Sequence, residues 1–232
     1  DNAMMRKPPE LQKKIGATLE QLGMTMGVFV SKGGGKDFVT KTDRAFQDRL
    51  RADMRKAVET AKRVHATWTT VVPGKVNLKL EESYMMANCV ENLKVMAEVC
   101  EPAGLVMVLE PLNWWANHPG MYLRKIPQAY MICKAVNNPS CKILDDLYHQ
   151  QISEGNLIPN MKTAWDEIGY IQVGDNPGRK EPTTGEINYR GIFRWLHTRG
   201  YQGVIRMEHG LSQKGKKGEQ ALIEAYRWCD RA

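Results

Sequence analysis

Short apolar, β-rich runs recur along the chain at 24–30 (MTMGVFV), 67–72 (TWTTVV), 105–110 (LVMVLE), 142–148 (KILDDLY), 170–174 (YIQVG) and 203–208 (GVIRME). Helical patterns lie between them. Phe46, Leu50, Met54, Ala57 and Ala61 share one helix face, as do Cys89, Leu93, Met96 and Cys100, and Leu222, Ala225 and Cys229. Gly23, Gly104, Gly169 and Gly200 each precede a strand run and read as glycines that end helices. Strand and helix in alternation predict successive βα units on a parallel sheet. An open doubly wound sheet usually carries a glycine-rich phosphate turn, but GGGK at 33–36 fits neither GxGxxG nor GxxxxGK[ST] and reads as a flexible loop. The competing architecture, a (β/α)8 barrel, gathers its chemistry at the C-terminal ends of several strands.

That placement is what the polar residues show. Glu110, Asp146, Gln172 and Glu208 sit at or near the ends of four successive runs. In a barrel they converge above the core, where unneutralised carboxylates repel one another and lose hydration. A divalent cation resolves the conflict. Three carboxylates and an amide oxygen are hard ligands suited to Mg²⁺ or Mn²⁺, whereas structural zinc prefers Cys and His. A single carboxylate at a strand end is more often a cap or a salt-bridge partner; four in register favour the metal reading.

Other classes recede. The 232 residues are 42% hydrophobic and can bury a substantial core, and no apolar run approaches the length of a membrane span. The net charge of +7 is interleaved with acidic residues along the helices, which speaks against a nucleic-acid surface. Five cysteines at irregular spacings, without CxxC, suggest neither a zinc ribbon nor a disulfide framework, and a reducing compartment fits best.

Two loops are candidates for substrate contact. His149, three residues past Asp146, stands where the strand is expected to become a loop. The polar stretch 173–189 contains Arg179, whose planar fork suits an anionic or hydroxyl-rich ligand, and Glu181. Trp114 and Trp115, near Asn117 and His118, either cover the pocket or pack between loops.

With LEPLN (109–113), DLYHQQISEGNL (146–157), YIQVGDNPGRKEPTTGEINY (170–189) and GYQGVIRMEHG (200–210), the chain resembles the xylose isomerase-like TIM-barrel superfamily, in its hydroxypyruvate isomerase-like branch of sugar isomerases and epimerases. The resemblance runs from about residue 10 onward. It implies Glu110, Asp146, Gln172 and Glu208 as metal ligands, Glu110 and Glu208 as the two proton-exchanging glutamates, and His149, Arg179 and Glu181 along the substrate pocket. It also implies a small sugar or hydroxy-keto acid as substrate, no organic cofactor and a tendency of apolar helix faces to pair into homo-oligomers; the cysteine usage points to a cytoplasmic setting. Lys180 departs from the pattern, standing where hydroxypyruvate isomerases commonly have histidine. The family barrel has eight strands and MTMGVFV looks like the third, so the expected architecture is a single TIM-barrel domain over 1–232 that lacks its first one or two strands, with an N-terminal segment and any targeting signal ahead of residue 1.

The expected chemistry is proton transfer beside a carbonyl. A glutamate removes the proton, and the cis-enediolate is reprotonated by the same residue or by its opposite number. A lyase or hydratase acting on an oxidised sugar derivative begins with the same step. A non-catalytic carbohydrate-binding barrel keeps the pocket without turnover. Endonuclease IV shares the barrel but needs three zinc ions and many histidines, and this chain has five histidines.

Overall fold

The computed structural model describes residues 3–231. Six parallel strands lie side by side in chain order: β1 (Phe29–Val30), β2 (Trp68–Val71), β3 (Val106–Leu109), β4 (Cys141–Asp146), β5 (Ile168–Val173) and β6 (Ile205–Met207). Around them run α1 (Pro9–Gln21), α2 (Arg44–Val64), α3 (Glu82–Cys100), α4 (Ile126–Val136), α5 (Leu147–Ser153), α6 (Leu157–Thr163), α7 (Tyr189–Thr198) and α8 (Gly215–Asp230). Sequential order in a parallel sheet arises when each crossover helix returns the chain beside the strand it has just left. The result is a curled, incomplete (β/α)8 barrel.

Alternation along the strands divides two cores. Val28, Val108, Leu144 and Tyr170 pack with Trp68, Val106 and Val204 on the inner face, where the Trp68 and Tyr170 rings meet edge to face at 5.4 Å. Phe29, Met107, Leu109 and Ile143 point outward against α2, α3 and α4, and Ile171 and Val173 outward against α7 and α8. Because the period is two, Glu110 continues the inward set of β3 and Asp146 that of β4, while Gln172 and Glu208 follow Tyr170 and Val204. The neighbouring Asp145 takes the opposite face, buried among the outer elements. The expected helix stripes are buried, Leu222 only in part, and all five cysteines are buried free thiols. No helix among the described residues is long and apolar enough to cross a membrane.

Four local details differ from the sequence expectation. Strand β1 is two residues long; Met26 makes only an isolated bridge to Ala66, because β1 pairs on one side alone, with β2. The run 142–148 is a strand only to Asp146, whose carboxylate caps α5 by accepting the backbone N–H of Tyr148 at 3.0 Å, so His149 lies in a helical first turn and not in a loop. Gly23, Gly104 and Gly200 do adopt the left-handed conformation, but Gly169 is inside β5, where a Cβ would come within 2.8 Å of the Lys142 side chain. The GGGK segment is a packed turn: Gly34, at φ 68°, sits against Phe38, Phe46 and Leu50.

A buried amide ties that turn region to α3. Asn92, fully buried, donates from Nδ2 to the carbonyls of Phe38 (2.7 Å) and Lys41 (2.8 Å). Replacing it strands two carbonyls away from water. Asn92→Ala should lower stability by about 2 kcal/mol, read as a reduced urea midpoint at unchanged slope; an unchanged midpoint would show that these carbonyls find other partners.

Candidate active site

The site is built at the C-terminal ends of β3 to β6 and on the loops that follow. Glu110, Asp146 and His149 each offer an atom lying within 4.8 Å of the others. Asp146 and Gln172 are paired residues of β4 and β5, and the Gln172 amide oxygen is buried with no hydrogen-bond donor. Glu208, just beyond β6, is not in the close triad; its Oε2 is 3.0 Å from Nη2 of Arg206.

Arg179 supplies positive charge to the middle of this group. Its Nη2 donates to Asp146 Oδ2 at 2.7 Å and its Nε to the Glu208 carbonyl at 2.9 Å, so one guanidinium spans the tips of β4 and β6. The Tyr148 ring lies beneath it, 4.8 Å from Cζ. Its backbone is left-handed, φ 51°, and its carbonyl accepts the Gly210 N–H. The loop is organised by buried Asp175, which accepts the N–H groups of Gly185 (2.9 Å) and Ile187 (3.1 Å).

His149 has a defined proton arrangement. Asn113 Oδ1 accepts the N–H groups of Ala116 and Asn117, which fixes its Nδ2 as the donor facing His149 Nδ1 at 2.6 Å. Nδ1 is therefore an acceptor and the ring proton resides on Nε2, 3.6 Å from Asp146 Oδ2. Burial, aided by Arg179 and His118, lowers the imidazole pKa to about 2, so the ring is neutral. A neutral ring with Nε2–H directed at the site is a hydrogen-bond donor and not a metal ligand.

Negative charge is crowded here. Glu110 is half-buried as a residue. Its carboxyl is nevertheless pushed up to about 8, first by burial and then by Asp146 and Glu208, against the opposing pull of Arg179 and Arg206. Asp146 is raised to about 6 by burial, with Arg179 and the His149 and Tyr148 N–H groups pulling the other way. Glu181, buried, gives its carboxylate to the Ser212 N–H at 2.9 Å and to the Ser212 hydroxyl, fastening the loop after β6. Trp114 packs within its own loop, its indole N–H on the Met121 carbonyl and its ring under Arg124, whereas Trp115 is exposed.

A family model described as xylose isomerase-like TIM barrel matches residues 3–232. The chain belongs to this family. It is 33% identical over 189 residues to a putative hydroxypyruvate isomerase of Xenopus laevis, covering 79% of this chain and 69% of the relative. It is 34% identical over 158 residues to the hydroxypyruvate isomerase of Escherichia coli (strain K12), covering 68% of this chain and 58% of that relative. A crystal structure described as an AP endonuclease, family 2, from Brucella melitensis superposes with a TM-score of 0.81 at 24% identity, covering 92% of this chain and 83% of that one, and so shares the fold.

The donor set of this xylose isomerase-like barrel fits a hard divalent cation. Two carboxylates sit close together with raised proton affinity, a third is nearby, and a buried amide oxygen has no donor, which are the conditions a cation relieves. Three contributors were not singled out from sequence. Asn113 lies inside LEPLN but shows its part only through contact with His149, Asp175 reads as an ordinary turn residue of DNPG, and Arg206 needed the inward register of β6.

The sign of these shifts sets a pH dependence for the metal-free protein. Between 4.5 and about 8 folded Glu110 holds a proton that the unfolded chain has released, so stability falls as pH rises. His149 acts oppositely: unfolded chains take a proton below 6.5 that the folded ring refuses, so its penalty appears only at lower pH. From pH 6.5 to 8 Glu110 acts with Asp145, also raised to about 8 by burial, Asp146 and Glu154. Chemical denaturation over that window should show wild type losing about 1 kcal/mol more than Glu110→Gln; parallel losses would place the Glu110 proton elsewhere.

Proposed function

We propose that this chain is a divalent-metal-dependent isomerase or epimerase acting on a small hydroxy-carbonyl compound, a sugar or hydroxy-keto acid. The observation that carries the reading is the gathering of Glu110, Asp146 and neutral His149 within 4.8 Å, beside the unpartnered Gln172 oxygen and Glu208, at one end of the barrel. Its relatives' names point the same way.

Glu110, Asp146, Gln172 and Glu208 would hold the ion. When bound, it would polarise the substrate carbonyl and adjacent hydroxyl and offset charge on oxygen during carbon deprotonation. The protein's own groups move the proton. Glu110 would accept and return a carbon-bound proton, and Glu208 approaches from β6 as its counterpart. Return to the neighbouring carbon gives aldose–ketose exchange; delivery to the opposite face of the same carbon gives epimerisation. His149 Nε2–H donates to a substrate oxygen in a fixed direction, because Asn113 holds the other ring nitrogen. Arg179 stabilises Asp146 and the loop after β5, while Glu181 holds the loop after β6 through Ser212.

Solvent exchange tests the chemistry directly. Wild type with Mn²⁺ in D₂O should incorporate deuterium at the carbon beside the carbonyl, and Glu208→Gln should abolish incorporation while keeping the wild-type unfolding midpoint. Retained exchange in that variant would remove Glu208 from the proton path. A product of altered mass would replace isomerisation with elimination.

A further inference from the structure

Arg206 is a strong charge on the inner face, beside the site, that the proposed chemistry leaves unused. It pairs in register with Gln172 and stands two residues from Val204 and two from Glu208, so its side chain starts on the inner face in the layer of Gln172. It then rises to the site: Nη2 reaches Glu208 Oε2 at 3.0 Å. Its aliphatic stem passes near Gly27, where a Cβ would come within 3.8 Å of Cδ. The side chain is 33% exposed on β6, which pairs only with β5. Arg179, by contrast, has both Nε and Nη2 committed to protein acceptors.

Charge balance gives Arg206 a meaning. Glu110, Asp146 and Glu208 carry three negative charges when a divalent ion is bound, and Arg179, Arg206 and the ion carry four positive ones. One positive charge is left over. With Arg206 absent the site would be neutral and suited to an uncharged sugar; with it present, electrostatic complementarity calls for one negative charge on the substrate.

We infer that Arg206 is a specificity-determining residue whose guanidinium receives the carboxylate of a hydroxy-keto acid, selecting acids over neutral sugars at this site. The assignment rests on the isomerase reading for its choice of substrate. The contact with Glu208 then has a second use: in the unliganded protein Glu208 satisfies the guanidinium that the substrate carboxylate later shares. Arg is suited to this part because its planar fork can serve two carboxylates at once.

The test compares hydroxypyruvate with dihydroxyacetone, which differ in carrying a carboxylate or a hydroxymethyl group beside the same hydroxyketone. In Mn²⁺-loaded protein, Arg206→Gln should reduce deuterium exchange into hydroxypyruvate, as kcat/KM, by about tenfold more than exchange into dihydroxyacetone, with Arg206→Lys partly restoring the acid. Equal losses on both compounds, or none on the acid, would overturn the assignment. Binding is read separately by calorimetry on the same loaded proteins, with D-glycerate and glycerol as probes. Glycerate should bind wild type about tenfold more tightly than Arg206→Gln, and glycerol should not distinguish them. If wild type exchanges neither substrate but the glycerate difference holds, the isomerase reading fails and the carboxylate site stands. If glycerate binds both proteins alike, the carboxylate site fails whatever the turnover.

Discussion

Repulsion among carboxylates that strand geometry forces together is the constraint on which the site depends. Parallel strands of a curled sheet all end on the same side, and a period of two sends Glu110, Asp146, Gln172 and Glu208 inward from four neighbouring strands. Hydration cannot reach them fully. The structure answers with guanidinium groups: Arg179 bridges the ends of β4 and β6, and Arg206 meets Glu208. Even so, Glu110 keeps a proton affinity well above that of an ordinary carboxylate, and the Gln172 oxygen faces no donor. Both facts describe a site short of positive charge, the condition a divalent cation would relieve.

The loops make that crowding usable by fixing direction. Asn113 holds one face of His149, Asp175 folds the segment that presents Arg179, and Glu181 binds Ser212. Each is a buried polar group whose partners are mostly backbone N–H groups or a single neighbouring side chain, and none needs a ligand to be satisfied. Chemistry at the strand tips therefore rests on polar contacts that order the surrounding chain first.

Much of this was legible in sequence because inner and outer residues alternate with a simple period. The strand runs, the apolar stripes of α2 and α3 and the four polar strand ends all follow from spacing. What escaped depends on partners distant in sequence. Gly169 resembled a helix terminator because its need for space comes from Lys142 on the adjacent strand. His149 was expected in a loop because the capping carboxylate of Asp146 was read only as a site residue, although one side chain does both. Arg206 was not singled out, because its part depends on the inward register of β6 against β5. The resemblance to xylose isomerase-like barrels supplied roles for residues that spacing alone could only gather.

The central claim is that the four strand-end groups form one cation site. Anomalous diffraction from crystals grown with Mn²⁺ measures this most directly. The account predicts a single strong peak at the barrel's C-terminal end, with oxygen atoms of Glu110, Asp146, Gln172 and Glu208 at roughly 2.0–2.3 Å from it. That arrangement requires the Arg206–Glu208 contact to loosen enough for Glu208 to reach the ion. A peak elsewhere, or no peak at saturating Mn²⁺ with Arg179 still fixed on Asp146, would contradict it.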